Sequence, residues 1–290
     1  MVQLTSRVRV DAPDAALVVA AACFGVTFVM VKDALQDVSP AGFIVLRFAI
    51  GTAALAPFAA RRRASSIEGV RSRAFLGVVV ALGVALTAGY LLQTVGLQYT
   101  DPSSAAFITG LFVVFTPLIE VALRRHALRR STVVAVGLAV LGLFLITGAT
   151  LHVSAGDALT LGCAVAFAVQ IVILGRWSSH FDPFVLNTAQ MGALALFTLP
   201  ALAVTGPGAL TVRAWTAIVV TGLACSALAF TLQVYGQRHA SATRSALLLS
   251  LEPVFATATA YATGHGLGAL GAAGAAVILA AILVEEVAER

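Results

Sequence analysis

Charge is scarce in this sequence. Only 11% of its 290 residues are Asp, Glu, Lys or Arg, against about 25% in an ordinary soluble domain, which excludes a soluble globular enzyme. Lysine is almost missing: Lys32 is the single one, and no GxxxxGK phosphate loop can be built around it. The three cysteines, Cys23, Cys163 and Cys225, all fall inside apolar runs, so they read as small apolar filler rather than a disulfide framework. The five histidines, His126, His152, His180, His239 and His265, lie at loops or at the ends of apolar runs, which leaves no buried general base. No HExxH, GxSxG, paired-aspartate phosphate motif or Cys/His metal spacing occurs. No catalytic residue, cofactor or metal is therefore expected, and the chain is not read as an enzyme. Strand alternation is absent, which argues against a barrel.

What is present is apolar. Hydrophobic residues make up 60% of the chain and its mean hydropathy is +0.98. Runs of about 20 apolar residues, the length that crosses a hydrocarbon core as helix, recur throughout. Ten spans are predicted, at 14–34, 40–60, 74–97, 102–123, 131–149, 156–176, 183–205, 213–236, 241–263 and 267–284. The chain is thus expected to be an all-α integral membrane protein in contact with the lipid bilayer. Arg7 and Arg9 precede an apolar run containing "AAAC", as in a signal peptide, but the run continues to Met30 and Val31, so the first span is read as retained.

Basic residues in short loops orient a membrane protein. With the N-terminus inside, 15 of the 18 basic residues fall on the inner side, among them Arg61, Arg62, Arg63, Arg124, Arg125, Arg129, Arg130, Arg238 and Arg244. Lys32 and Arg213 lie near outer ends, and Arg47 lies within the second span. This bias supports ten spans with both termini cytoplasmic. The net charge of +5 comes from loops that obey the topology rule, so no nucleic-acid partner is expected.

The two halves resemble each other, 1–150 against 151–290. At an offset of 143, Asp14 meets Asp157, Phe24 meets Phe167, Pro40 meets Pro183 and Pro57 meets Pro200. At an offset of 140, Leu92, Gln93, Gly96, Ala106 and Leu111 meet Leu232, Gln233, Gly236, Ala246 and Leu251. Five spans per half is an odd number, so the second half enters from the opposite side. Such inverted five-helix repeats place a cavity at their interface near the bilayer midplane, and rocking the halves opens it to each side in turn.

The stretches "CFGVTFVMVKDALQDVSPAGFIVLRFAIG" (23–51), "GLQYTDPSSAAFITGLFVVFTPLI" (96–119) and "SALLLSLEPVFATATA" (245–260) resemble the EamA-type branch of the drug/metabolite transporter superfamily over nearly the whole chain. The resemblance implies a ten-helix inner-membrane carrier with both termini cytoplasmic, typically exporting amino acids or other small metabolites. Two positions depart from the family pattern: Phe24-Gly25 replaces the usual Trp-Gly, and Gly264-His265 replaces a common Gly-Glu.

Ionisable groups within spans are costly, about 2.5–3.5 kcal/mol on insertion scales. Glu252 lies near the middle of the ninth span, on a face shared with Ser245 and Thr259. An acid whose surroundings alternately flood and dry is suited to proton coupling; a fixed hydrogen-bonded acid tying its helix to a neighbour beside Pro253 is the alternative. Arg47 can grip a substrate carboxylate in bidentate fashion, or snorkel outward to pair with Asp37 or Asp33; its counterpart is Gln190. Lys32 reads as a snorkelling end residue, and Glu120 as the partner of Arg124 four residues on. Among uncharged residues, Thr27 corresponds to Gln170, Gln93 to Gln233 and Tyr90 to Phe230. Ser226, Phe230, Gln233 and Gln237 share one helical face, and Thr87, Tyr90 and Thr94 another. As a set they are candidates for lining a site for a small polar or amphipathic solute, while each alone also fits a simple interhelical hydrogen bond. The small residues Gly268, Gly271, Gly274 and Ala275 suit close helix packing within the chain or, alternatively, a homo-oligomer.

The leading expectation is a secondary carrier for a small metabolite, an exporter working by alternating access with protons as a candidate coupling ion. A channel, or a membrane subunit of a larger complex, is the alternative.

Overall fold

The computed structural model describes residues 11–63, 72–100, 102–124, 128–147, 154–262 and 269–289. The described chain is helical almost throughout, and its only pairing of extended backbone is an isolated bridge between Val38 and Gly208. The elements in order are α1 (Ala12–Ala34), α2 (Pro40–Arg63), α3 (Arg73–Gly96), α4 (Pro102–Gly110), α5 (Phe112–Arg124), α6 (Arg130–Thr147), α7 (Ala155–Trp177), α8 (Pro183–Thr205), α9 (Val212–Thr221), a π-helical segment (Gly222–Ala229), α10 (Phe230–Gln237), α11 (Ala242–Leu249), α12 (Glu252–Ala262) and α13 (Ala269–Glu289).

The starts of these helices are written in the sequence. Ser72, Asp182, Thr211 and Ser241 each accept a backbone N–H of the following first turn, and Ser154 forms a capping box with Asp157. These caps satisfy donors that the first turn of a helix leaves free. Proline opens α2, α4 and α8, where its missing N–H costs nothing.

Eight segments are long and apolar enough to cross a bilayer. The two expected spans that do not qualify differ in cause. The expected span at 131–149 is occupied by α6, whose apolar stretch Arg130–Leu145 is shorter than the others. The expected span at 241–263 is broken between α11 and α12. Pro253 cannot donate to the carbonyl of Leu249, and the chain tightens there: Leu251 N donates to Leu248 O at 3.2 Å and Ser250 Oγ to Leu247 O at 2.6 Å. A similar tightening at Leu111, whose N–H reaches Ile108 O at 3.1 Å, separates α4 from α5. Leu111 and Leu251 are matched positions at the offset of 140.

This break corrects one expectation. Ser245, Glu252 and Thr259 do not form a continuous stripe, because the helix carrying them is interrupted. The hydroxyls of Ser245 and Thr259 bond back to Ser241 O and Phe255 O on their own segments.

The principal packed pairs are α6 with α13, α2 with α8 and α3 with α7. Toward the N-terminal end of α1, an apolar cluster including Leu17, Val113, Leu143, Leu247 and Ile278 fills the interior. At that same end Arg244 clamps three helices: its guanidinium takes both carboxylate oxygens of Asp14, at 3.2 and 2.6 Å, and also pairs with Glu286. At the opposite end of α1, Asp37 receives Thr211 Oγ1 at 2.7 Å and Arg213 at 2.8 Å. Ser39 Oγ donates to Gly206 O, and Gly208, at φ 77°, supplies the left-handed backbone this junction needs.

Candidate functional site

Two adjoining cavities, of about 70 and 50 Å³, lie at the middle of the bundle and share Phe24, Tyr90, Gln93 and Glu252 on their walls. The first also takes Thr109, Phe112, Phe167, Gln170, Ile171, Phe230, Gln233 and Leu249. The second runs past Thr27, Phe43, Ile44, Arg47 and Thr94 to Val31 and Leu97, toward the C-terminal ends of α1 and α3. Volumes of this size hold a few water molecules and fall short of the 300–1,000 Å³ of typical ligand pockets. A solute larger than a few atoms therefore requires the helices to part.

The walls of the first cavity are paired across the halves. Phe24 faces it with Phe167, Tyr90 with Phe230, Gln93 with Gln233, Thr109 with Leu249 and Phe112 with Glu252, each pair standing at the offset of 143 or 140. The rings form a connected set: Phe24 and Phe230 meet edge to face at 5.1 Å, and Tyr90 and Phe167 at 5.2 Å. The polar edge is made of amides. Gln233 Nε2 donates to Gln170 Oε1 at 3.2 Å and to Gln237 Oε1 at 3.1 Å, while Gln93 Nε2 reaches Thr109 Oγ1 at 3.4 Å. Gln170 is 2% exposed, and its Nε2 has no partner among the described residues. A buried donor left unpaired is costly, and a water or a solute acceptor in the cavity would satisfy it.

Glu252 is the first residue of α12. A carboxylate there faces the positive end of the helix dipole and the free N–H groups of its first turn. The chain break described above thus places the acid at the cavity wall.

Arg47 is 5% exposed and does not snorkel. Asp37, one of its two expected partners, pairs with Arg213 instead. Arg47 Nε donates to Ser226 Oγ at 3.1 Å, and its guanidinium lies 5.0 and 5.2 Å from the ring centroids of Phe48 and Tyr90. The geometry that allows this belongs to the π segment. Gly51 lets α2 approach so closely that an added Cβ would stand 2.6 Å from Ser226 Cβ. The wide π turns release carbonyls, and Asn187 Nδ2 takes up Ser226 O at 3.1 Å, Ala227 O at 3.3 Å and Thr231 Oγ1 at 2.9 Å. Such π bulges recur at functional sites.

The structure brings Thr27, Arg47, Tyr90, Gln93, Gln170, Phe230, Gln233 and Glu252 to these two cavities. Thr87 and Gln190 lie elsewhere. Thr87 Oγ1 points to Leu194 O at 3.5 Å, at the α3–α8 contact. Gln190 is fully buried and donates to Asn187 Oδ1 at 2.9 Å, supporting the π segment from behind. Of the expected face of Ser226, Phe230, Gln233 and Gln237, Phe230 and Gln233 line the first cavity. Ser226, in the π segment, serves Arg47, while Gln237 accepts from Gln233 and its Nε2 donates to Ile171 O at 2.9 Å. Glu120 receives Thr243 Oγ1 at 2.7 Å. Asn187 and Thr109 were not singled out by sequence reasoning. Thr109 had a signal, since it is the match of Leu249; Asn187 had none, because its partners are carbonyls exposed only by the π turns. The Gly264-His265 pair lies outside the described residues.

Comparison with known proteins decides the family. The model of the EamA-like transporter family matches twice, over residues 13–148 and 154–284. The chain belongs to the EamA-like transporter family. Among its relatives, an uncharacterized transporter of Archaeoglobus fulgidus is 30% identical over 244 residues, covering 84% of this chain and 75% of that one. The uncharacterized transporter YyaM of Bacillus subtilis is 24% identical over 272 residues, covering 89% of this chain and 88% of its own. A protein of known crystal structure shares the fold, with a TM-score of 0.77 at 19% identity over 93% of this chain and 94% of that one. As an EamA family member with many apolar helices, the chain is a multi-pass membrane transporter acting on a small-molecule substrate.

Proposed function

We propose that this transporter is a secondary carrier that moves a small metabolite, an amino acid or a similar solute, by alternating access. Its units are 1–150 and 151–290, two inverted five-helix repeats making ten spans. The broken pair α11–α12 serves as the ninth span and α6 as the fifth. The double match of the family model and the constant offsets between the halves support this division. The distribution of arginine supports cytoplasmic termini, and the family resemblance favours a cell inner membrane. Export is the direction that the family resemblance favours.

The observation that carries the reading is the central pair of cavities. Paired residues of both halves line the first, and the two together hold one acid, Glu252, and one guanidinium, Arg47. In this reading Arg47 and the amides of Gln93, Gln170 and Gln233 hold the polar part of the solute, assisted by Thr27. The rings of Tyr90 and Phe230 cover its apolar part. Glu252 exchanges a proton as the cavity changes sides. Thr87 and Gln190 act indirectly, through helix packing and through Asn187.

Counterflow tests this function. Proteoliposomes preloaded with unlabelled solute should accelerate uptake of the same labelled solute across an amino-acid and metabolite panel. Uptake that is saturable yet indifferent to preloading would point to a channel instead.

A further inference from the structure

A cavity larger than either central one lies away from them. A groove of about 400 Å³ runs between the C-terminal part of α2 (Ala56, Ala59, Ala60), the start of α3 (Phe75) and the first turns of α8 (Val185, Thr188). Its one hydroxyl, that of Thr188, is spent on Phe184 O at 2.6 Å. The groove is therefore mostly apolar, and its volume matches an apolar ligand rather than scattered water. Beside it, Phe58 and Leu76 are 53% and 63% exposed, as befits a surface that meets hydrocarbon.

Charge accumulates at one end of this groove. Arg61 and Arg62 follow Ala60 directly, Arg73 lies two residues before Phe75, and all three are exposed. The Arg62 guanidinium lies 5.7 Å from the Phe184 ring centroid, one residue before Val185, and 3.8 Å from Asp182. That carboxylate already accepts the N–H groups of Phe184 and Val185. An apolar slot whose flanking helix ends carry three exposed arginines at a membrane surface has the chemistry of a lipid tail joined to an anionic head.

We propose that this groove is a binding site for an anionic phospholipid, with one acyl chain between α2, α3 and α8 and the headgroup held by Arg61, Arg62 and Arg73. The site is separate from the transport cavities, and lipid bound there bridges three helices of both halves.

The test is lipid binding by the purified full-length chain, read by native mass spectrometry. Phosphatidylglycerol and phosphatidylcholine of identical acyl chains are the probes. The wild type should retain phosphatidylglycerol preferentially, and the preference should fall roughly five-fold for each arginine changed to Gln. Ala59→Phe fills the slot without touching charge and should lose both lipids. Ala189→Phe, at another lining residue on α8, repeats that test should the first variant fold poorly. Equal retention of the two lipids by the wild type, or an unchanged preference in the triple Gln variant, overturns the headgroup assignment. Undiminished binding to a folded Phe variant overturns the groove. Because the readout is binding, a negative result leaves the counterflow test of transport untouched.

Discussion

Among the described residues, Glu252 and Arg47 are the charged side chains lining the central cavities, and they came to light differently. Glu252 was conspicuous as a lone acid in an apolar run, and the structure puts it at the start of a half-helix against the cavity. Glu252→Gln should abolish accumulation driven by a pH gradient while leaving counterflow largely intact; accumulation at the wild-type level removes Glu252 from coupling. For Arg47 the sequence left two roles open, and the burial of the side chain with Ser226, Phe48 and Tyr90 favours the inward one. Loss of a charge-assisted hydrogen bond costs about 1.5–3 kcal/mol, so Arg47→Gln should raise the half-saturation concentration in counterflow by about 10- to 100-fold, and Arg47→Lys should not restore it. Glycine positions make a paired stability test. A Cβ on Gly25 would stand 2.4 Å from Glu252 O and 2.9 Å from Ala256 N, whereas one on Gly77 would meet nothing within 4 Å. Gly25→Ala should lower the thermal midpoint, since overpacking against backbone costs about 1–3 kcal/mol. Gly77→Ala should leave it unchanged or raise it, through helix propensity.

At the scale of elements, the two ends of α1 are tied by different chemistry. At its N-terminal end Arg244 joins α1, α11 and α13 through Asp14 and Glu286, closing the end away from which the second cavity runs. Arg244→Gln should loosen these helices, seen as faster amide exchange in α11 and the first turns of α1, with exchange in α8 unaffected. At the other end, Thr211 and Arg213 hold the Asp37 carboxyl below its ordinary value of 3.8. A depressed acid stabilises the fold above its unfolded pKa and loses that contribution as pH falls through the folded value. Acidification below about pH 4 should therefore weaken the hold of Asp37 on Thr211 and Arg213, reported by the fluorescence of Trp215 four residues beyond Thr211; Asp37→Asn should remove the transition. The helix breaks were only half legible. Pro253 announced a disturbance in the ninth expected span, but no proline stands at Leu111, and the π turns of Gly222–Ala229 have no local sequence mark. They exist because α2 and Asn187 supply contacts to them from elsewhere in the chain.

For the molecule as a whole, the arginine bias predicts sidedness. In a background with the native cysteines replaced, Val212→Cys should react with an impermeant maleimide in right-side-out vesicles, and Ser179→Cys should react only after permeabilisation. The opposite pattern would reverse the proposed topology. Helicity, the apolar surface and the uneven ends of the helices followed from the sequence alone, because they depend on composition and on local capping residues such as Ser72, Ser154 and Asp182. Even the pairing of Phe24 with Phe167 and Gln93 with Gln233 was visible as a constant offset. Which polar face turns inward was not. Thr87 and Gln190 have the same helical credentials as Tyr90 and Gln170, yet they end in helix contacts rather than at a cavity. Periodicity assigns residues to a face, but the neighbour that each face meets depends on packing between segments far apart in the chain. Only the tertiary structure could decide that Glu252 begins a half-helix and that Arg47 finds Ser226 rather than Asp37.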